Sequence, residues 1–326
     1  MGPSVSAGQA AGSSGAQRPG RHRARRPLVV VALVAALAAG LGALIVGPTM
    51  GSAAAPRRTC EQFGSMGVSG DKYVIQNSRW GASTAQCITE NGPTGFIVDT
   101  AEHTNNQGPA GYPSIYRGCN YGYCTKDSPF PAMVSQLGTV RSSWDTSGPT
   151  AVPAAVPATT TTKAATTTKA PAGTTTAPGA TPTTAPAATT TAAPASRVQQ
   201  YNTAYDVWFH PTKDYAGRPA GAEMMIWLNR TSWVQPIGKP YYDVTIAGTK
   251  WTVWYGAANP PVISYVRKTP VTSVKDLPIE AFTRDAMLRG VVKPTWYMQS
   301  VQAGFEPWTG GTGLTTKSFS VTRNGK

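Results

Sequence analysis

Six glutamates occur in the 326-residue chain, and two of them, Glu223 and Glu306, stand among apolar and aromatic neighbours. The other four, Glu61, Glu90, Glu102 and Glu280, fall near the mature N-terminus, in turns or on the one helical stretch. Two carboxyl groups on facing strands can hydrolyse a glycosidic bond with retention. Held about 5–5.5 Å apart, one attacks the sugar while the other delivers a proton and later recovers one. The alternative makes each a structural carboxylate paired with an arginine or a backbone amide, and composition by itself favours that. Metal chemistry finds less support, because His103 and His210 sit in no HExxH or CxxC arrangement. No metal and no cofactor are expected.

The elements that must carry these residues read as strands. Short runs of Tyr, Val, Ile, Thr and Trp are broken by Gly, Pro and Asn about every ten residues. They predict strands at 72–76, 95–99, 205–209, 223–229, 243–246, 251–255, 262–266 and 296–303. Only 277–289 reads as a helix, with Ile279, Phe282 and Ala286 at spacings of three and four, Asp276 and Pro278 at its start and Gly290 after it. The class is therefore all-β, a sandwich or barrel. Alternate residues of a strand point to opposite faces. Glu223, Met225 and Trp227 thus share one face, and Met224, Ile226 and Leu228 share the other, which reads as core. The same rule aligns Trp296, Met298, Gln302, Glu306 and Trp308. Each strand then carries one Glu among aromatics, an odd face for solvent and a suitable one for a sugar groove.

Much of the chain cannot join a core. Arg18, Arg21, Arg23, Arg25 and Arg26 precede an apolar run at 28–46 and the small residues 51–55, the order of an export signal. Residues 1–55 are accordingly read as a signal peptide, and the protein as secreted and extracellular. It would be membrane-tethered if the apolar segment stays uncleaved. Residues 148–196 are almost entirely Ala, Thr, Pro and Gly, with Lys163 and Lys169 as their only charges. Such a composition cannot bury a core and reads as a disordered insertion. The remainder of 56–326 is expected to form one catalytic domain, with the insertion lying on a hairpin. A rival division makes the Thr-rich stretch a linker between a binding module and a separate enzyme. The formal charge is +14, but five of the cations lie in the leader and the rest are dispersed. Without Lys/Arg clusters nucleic acid is not expected as a partner. All four cysteines, Cys60, Cys87, Cys119 and Cys124, lie in the exported part, where disulfides are expected.

Six motifs carry a resemblance: QNSRWG (76–81), YPSIYRGCNYGYC (112–124), YNTAYDVWF (201–209), AEMMIWLNR (222–230), VQPIGKP (234–240) and SVQAGFEPWTGGTGL (300–314). Together they resemble glycoside hydrolase family 12, particularly its actinobacterial endoglucanases, in order and over nearly all of the mature chain outside the insertion. The resemblance implies a concanavalin-like jelly-roll β-sandwich of two antiparallel sheets with one helix and an open substrate cleft. It also implies an endo-β-1,4-glucanase that works with retention. Carried over residue by residue, Glu223 is the nucleophile, Glu306 the acid/base, and Asp206 a third carboxylate that hydrogen-bonds the nucleophile. Asn77 and Trp80 become donor-side sugar contacts. Met225 and Trp227 become the cleft floor, and Trp308 cleft or rim. Of three possible connectivities, the family pattern implies Cys60–Cys87 and Cys119–Cys124. The expected partner is a β-glucan polysaccharide and the expected state a monomer, with no stable membrane partner after signal cleavage. The competing function is a catalytically silent glucan- or cell-wall-binding protein on the same sandwich. Two features depart from the family pattern: the long insertion and the basic excess.

Overall fold

The structure, a computed structural model, describes residues 54–149, 198–213 and 216–325. The expectations for the leader at 1–55 and the insertion at 148–196 lie outside the described residues, apart from residues 54, 55, 148 and 149. Each of the eight strand signals falls on a strand. Three further long strands, Ser114–Asn120, Val140–Ser147 and Thr315–Arg323, were not anticipated. The last two are rich in Ser, Thr and charge, so the apolar run that signals a strand is diluted.

The strands form two layers. The inner layer runs in the order Ser65–Val68, Tyr73–Gln76, Ser114–Asn120, Tyr297–Gly311, Gln200–His210, Ala222–Arg230, Val262–Arg267, Thr249–Gly256 and Lys239–Ile246. The outer layer joins Gln86–Glu90, Phe96–Thr104, Thr315–Arg323, Val140–Ser147 and Ser273–Pro278. They connect where Glu102–Thr104 pair with Thr309–Gly311. Pairing is antiparallel with one correction: Glu223 to Trp227 run parallel to Val262 to Val266. A parallel pair needs a long crossover, and the hairpin of Lys239–Ile246 with Thr249–Gly256 supplies it at the sheet edge.

Between the layers lies one apolar core. Val207, Phe209, Met224, Ile226, Leu228, Val301 and Phe305 of the inner layer meet Val98, Trp144, Phe319 and Val321 of the outer. Trp144, before the insertion, meets Tyr205, after it, edge to face with ring centroids 5.1 Å apart. The two strands that bound the insertion do not form the expected hairpin. Val140–Ser147 is flanked by Ser273–Pro278 and Thr315–Arg323, and Gln200–His210 by Ala222–Arg230 and Tyr297–Gly311. Neither has a free edge for the other, so the connection crosses from one layer to the other.

The helix spans Ile279–Leu288 and buries Ile279, Phe282, Thr283 and Ala286. Phe282 stands edge-on against Trp251 and Tyr265. Its expected start is shifted, because Leu277 and Pro278 are held in strand pairing with Ser142 and Arg141. Gly290, at φ 75°, ends it in the left-handed conformation that glycine adopts freely. Disulfides join Cys60 to Cys87 and Cys119 to Cys124. No helix of the described residues is long and apolar enough to cross a membrane.

Candidate active site

On its face away from the core the inner layer carries an open cleft of about 770 Å³, lined among others by Glu223, Asp206 and Glu306. Three adjacent strands supply these carboxyls, with the Asp206 strand in the middle. Asp206 stands opposite Met225 on the Glu223 strand and opposite Gln302 on the Glu306 strand. The alternation rule accounts for most of this. Met224, Ile226 and Leu228 enter the core while Glu223, Met225 and Trp227 face the cleft. The other glutamates whose side chains form ion pairs do so elsewhere, Glu90 with Arg57 and Glu280 with Arg141.

Alternation fails once, and usefully. Trp296 and Met298 were aligned with Glu306, yet Met298 is fully buried in the core and Trp296 packs against it. The register explains the correction. Trp208 pairs with Ser300 and Phe209 with Met298, which leaves Gln299 as an extra residue in a bulge. A bulge exchanges the faces of everything beyond it. Gln299 spends its amide on the carbonyls of Thr212 and Lys213, both at 3.2 Å.

Each carboxyl has a distinct neighbour. The Asn202 amide donates to Glu306 Oε2 from the directly opposite strand position. The Trp208 indole donates to Asp206 Oδ2 at 2.7 Å, while Asp206 Oδ1 is buried and has no partner among the described residues. The donor placed on Asp206 is thus the indole two residues along its own strand and face, and a bond to Glu223 would need a proton shared between the two carboxyls. Arg218 lines the cleft near Glu223 and ties to Asn259 O at 3.1 Å. Tyr112, buried beneath the carboxyls, donates to Ala204 O at 2.8 Å. Across the sheet a polar row continues from Asn120 to Gln76 at 3.0 Å, to Gln302 at 2.9 Å and to Ser300 at 3.2 Å.

Burial dominates the electrostatics. Desolvation, then the charge of Glu306, pushes Glu223 up to about 8 against the opposing pull of Arg218. Desolvation pushes Glu306 up to about 7, with the Asn202 amide working the other way. Asp206 is raised well above the ordinary carboxylate range by burial and then by Glu223. Like charges in a dry site cannot all ionise, so the cluster keeps protons near neutrality as a unit. One ionised carboxylate and one carboxylic acid can then coexist on one face, which is what a double displacement at a sugar requires.

Around the carboxyls the aromatic residues divide. Trp80 lines the cleft with half its surface exposed, and Trp308 lines it while standing edge-on to Trp233 at 5.3 Å. Met225 and Trp227 are nearly buried at the cleft floor, where the Trp227 indole donates to Met225 Sδ at 3.4 Å. Asn77 is a correction. It is fully buried, donates to the carbonyls of Glu61 and Gln86, both at 2.9 Å, and accepts from the Gln86 amide. Its neighbour Gln76 lines the cleft instead. Asn202, Trp208, Gln302 and Gln76 were not singled out as site residues. For the first two, alternation from Asp206 was the available signal. Tyr112 and Arg218 carried none beyond their motif or loop.

The family model described as Glycosyl hydrolase family 12 matches residues 184–324. A probable cellulase, Cel12b, of Mycobacterium tuberculosis is 31% identical over 125 residues, covering 38% of this chain and 82% of that protein. Endoglucanase A of Aspergillus kawachii is 32% identical over 117 residues, covering 34% of this chain and about half, 49%, of the fungal protein. Among solved structures, a metagenome-derived glycoside hydrolase family 12 endoglucanase is 35% identical with a TM-score of 0.66, covering 82% of this chain and 98% of that one. The endoglucanase Cel12A of Rhodothermus marinus is likewise 35% identical, with a TM-score of 0.65 and coverage of 82% and 99%.

Proposed function

The chain belongs to glycoside hydrolase family 12, and we propose that it is an endo-β-1,4-glucanase in which Glu223 is the nucleophile and Glu306 the acid/base. The observation that carries this reading is the flanking of the buried Asp206 by one cleft-facing glutamate on each side, in an open groove with an exposed tryptophan. A glucan chain lying across the sheet stacks the apolar face of a glucose on Trp80. Its scissile bond rests over the carboxyls.

The empty cleft shares its protons across the cluster, and substrate divides them. A glycosidic oxygen beside Glu306 accepts a hydrogen bond from the protonated carboxyl and so favours that form. Neutralising Glu306 removes the charge that opposes ionisation of Glu223. Glu223 then attacks the anomeric carbon. The carbon–oxygen bond to the departing glucan breaks, and the Glu306 proton passes to that oxygen. In the second half Glu306 takes a proton from water, the hydroxide oxygen attacks the same carbon, and the bond to Glu223 breaks. Asp206 acts as a positioning residue, held by Trp208 beside the nucleophile. We further assign the enzyme to the outside of the cell, as a monomer freed from residues 1–55.

Azide rescue tests the division of labour. Glu223→Ala should be inactive even on aryl cellobiosides with good leaving groups, and azide should restore turnover to give the α-glycosyl azide. Glu306→Ala should still form the glycosyl-enzyme from such substrates, and azide should yield the β-product. Exchanged stereochemistry would reverse the two roles. Inversion by the unaltered enzyme, followed by NMR, would remove the double displacement.

A further inference from the structure

Behind the cleft wall that carries Trp80, four polar side chains are bonded in a row. Gln86, on the strand Gln86–Glu90, stands opposite Ala101 of Phe96–Thr104, and His103 lies two residues further on the same face, so Gln86 and His103 meet diagonally. His103 Nε2 lies 2.8 Å from Gln86 Oε1, and its Nδ1 lies 2.7 Å from Thr84 Oγ1. The Gln86 amide donates to Asn77 O at 2.6 Å and to Asn77 Oδ1 at 2.9 Å. The Asn77 amide in turn donates to the carbonyls of Glu61 and Gln86. Asn77, Gln86 and His103 are buried.

These bonds leave one arrangement of protons. Both amide nitrogens face oxygens, and both hydrogens of each amide are spent on them. Gln86 therefore presents only Oε1 to the ring, so His103 Nε2 carries the hydrogen and Nδ1 accepts from the Thr84 hydroxyl. Burial, then the Arg79 charge, holds His103 down to about 4, which keeps the ring neutral near neutrality. A satisfied buried network fixes one geometry, whereas apolar side chains of equal volume could slide. What it fixes is the segment leading to Trp80. Asn77 N donates to Gly64 O at 2.9 Å, and Arg79 N to Gln62 O and Gly81 N to Ala110 O, both at 2.8 Å. Between them Ser78 stands at φ 40°, a left-handed conformation that an L-residue keeps only where its surroundings enforce it.

Resting on the glucanase reading, we propose that Thr84, His103, Gln86 and Asn77 are positioning residues for Trp80, which hold the 77–81 segment in its strained form and so set the affinity of the cleft for a glucan chain. None of the four lines the cleft, so their effect reaches substrate only through the loop. Their loss is felt in binding, and the step carried by Glu223 and Glu306 is spared.

Steady-state kinetics on cellohexaose and amide hydrogen exchange, both on the full chain, test this together. His103→Phe removes the donor to Gln86 and should raise KM about fivefold, the worth of about one hydrogen bond, while kcat stays within about twofold. His103→Gln restores a donor where Nε2 stood and should recover most of the loss. In a Trp80→Ala background His103→Phe should add nothing further, because residues that act through one another are not additive. Full additivity, or a fall in kcat at unchanged KM, would overturn the proposal. Exchange of the amides at 77–81 should quicken about tenfold in His103→Phe, while that of the Glu223 strand stays as it was. Unchanged exchange at 77–81 refutes the positioning role. This readout needs no substrate, so it decides the role of the network even if no glucan is cleaved and the glucanase reading fails. Should His103→Phe not fold, Thr84→Val gives up a single bond at the end of the row and should shift KM and exchange in the same sense by about twofold. No shift in either would sink the idea.

Discussion

At the scale of single residues, the burial that makes Glu223 and Glu306 useful also costs stability. Glu223 holds its proton up to about 8 in the folded protein, against an ordinary value of 4.5. Between those values the folded state binds more protons than the unfolded chain, so stability falls as pH rises from about 4.5 to about 8. Glu223→Gln removes the titration. Its denaturation midpoint should therefore gain on that of the unaltered protein steadily across that window, while below about 4.5 the two should run in parallel. A difference independent of pH would mean that Glu223 holds no extra proton. Asn77 and Gln76 show the limit of reading single residues from motifs. Both stand in the same hexapeptide, yet Asn77 braces carbonyls beneath the Trp80 loop while Gln76 faces the cleft. Which side chain of a strand end turns inward depends on where pairing stops, and no local pattern records that.

At the scale of elements, the bulge at Gln299 decides which half of the longest strand serves the core and which serves the cleft. Deleting Gln299 should draw Met298 out of the core, or shift Glu306 out of line with Asn202. The expected loss of stability is that of a large core truncation, about 2–5 kcal/mol. Gln299→Ala keeps the extra residue and forgoes only the bonds to Thr212 and Lys213. It should cost about 0.5–1.5 kcal/mol for each of the two bonds. Urea denaturation of the two variants side by side measures the difference, and equal losses would show that the bulge does not set the register. Period-2 reasoning read this strand correctly from Ser300 onward and wrongly before it. One inserted residue leaves composition unchanged and inverts everything behind it.

At the scale of the whole molecule, the long Thr/Pro-rich insertion joins two strands in different layers, and described residues on its two sides nevertheless lie close. A Cβ built on Gly148 would come within 2.6 Å of the Tyr201 hydroxyl. A short connection can therefore replace residues 150–196. By loop-closure scaling, shortening from about fifty residues to about five stabilises by about 2 kcal/mol. We expect a Gly/Asn replacement to raise the midpoint of unfolding and to keep glucanase activity within several-fold of the intact chain. Loss of folding on shortening would make the insertion part of the architecture. Independent folding of the two halves would overturn the single-domain reading, for which the shared core of Trp144, Tyr205 and Phe319 speaks.

Local chemistry determined a good deal of this protein. Strand periodicity, the aromatic company of Glu223 and Glu306, the cysteine motifs and the family pattern all lie in contiguous residues, and periodicity placed most of the inner layer. Three features were decided only by the tertiary structure: the parallel pairing of the Glu223 strand, the crossing between layers at the insertion, and the inward turn of Asn77. Each depends on which strand lies beside which. Hydrogen-bond pairing between segments far apart in the chain settles that, and residue types within any one segment leave it open.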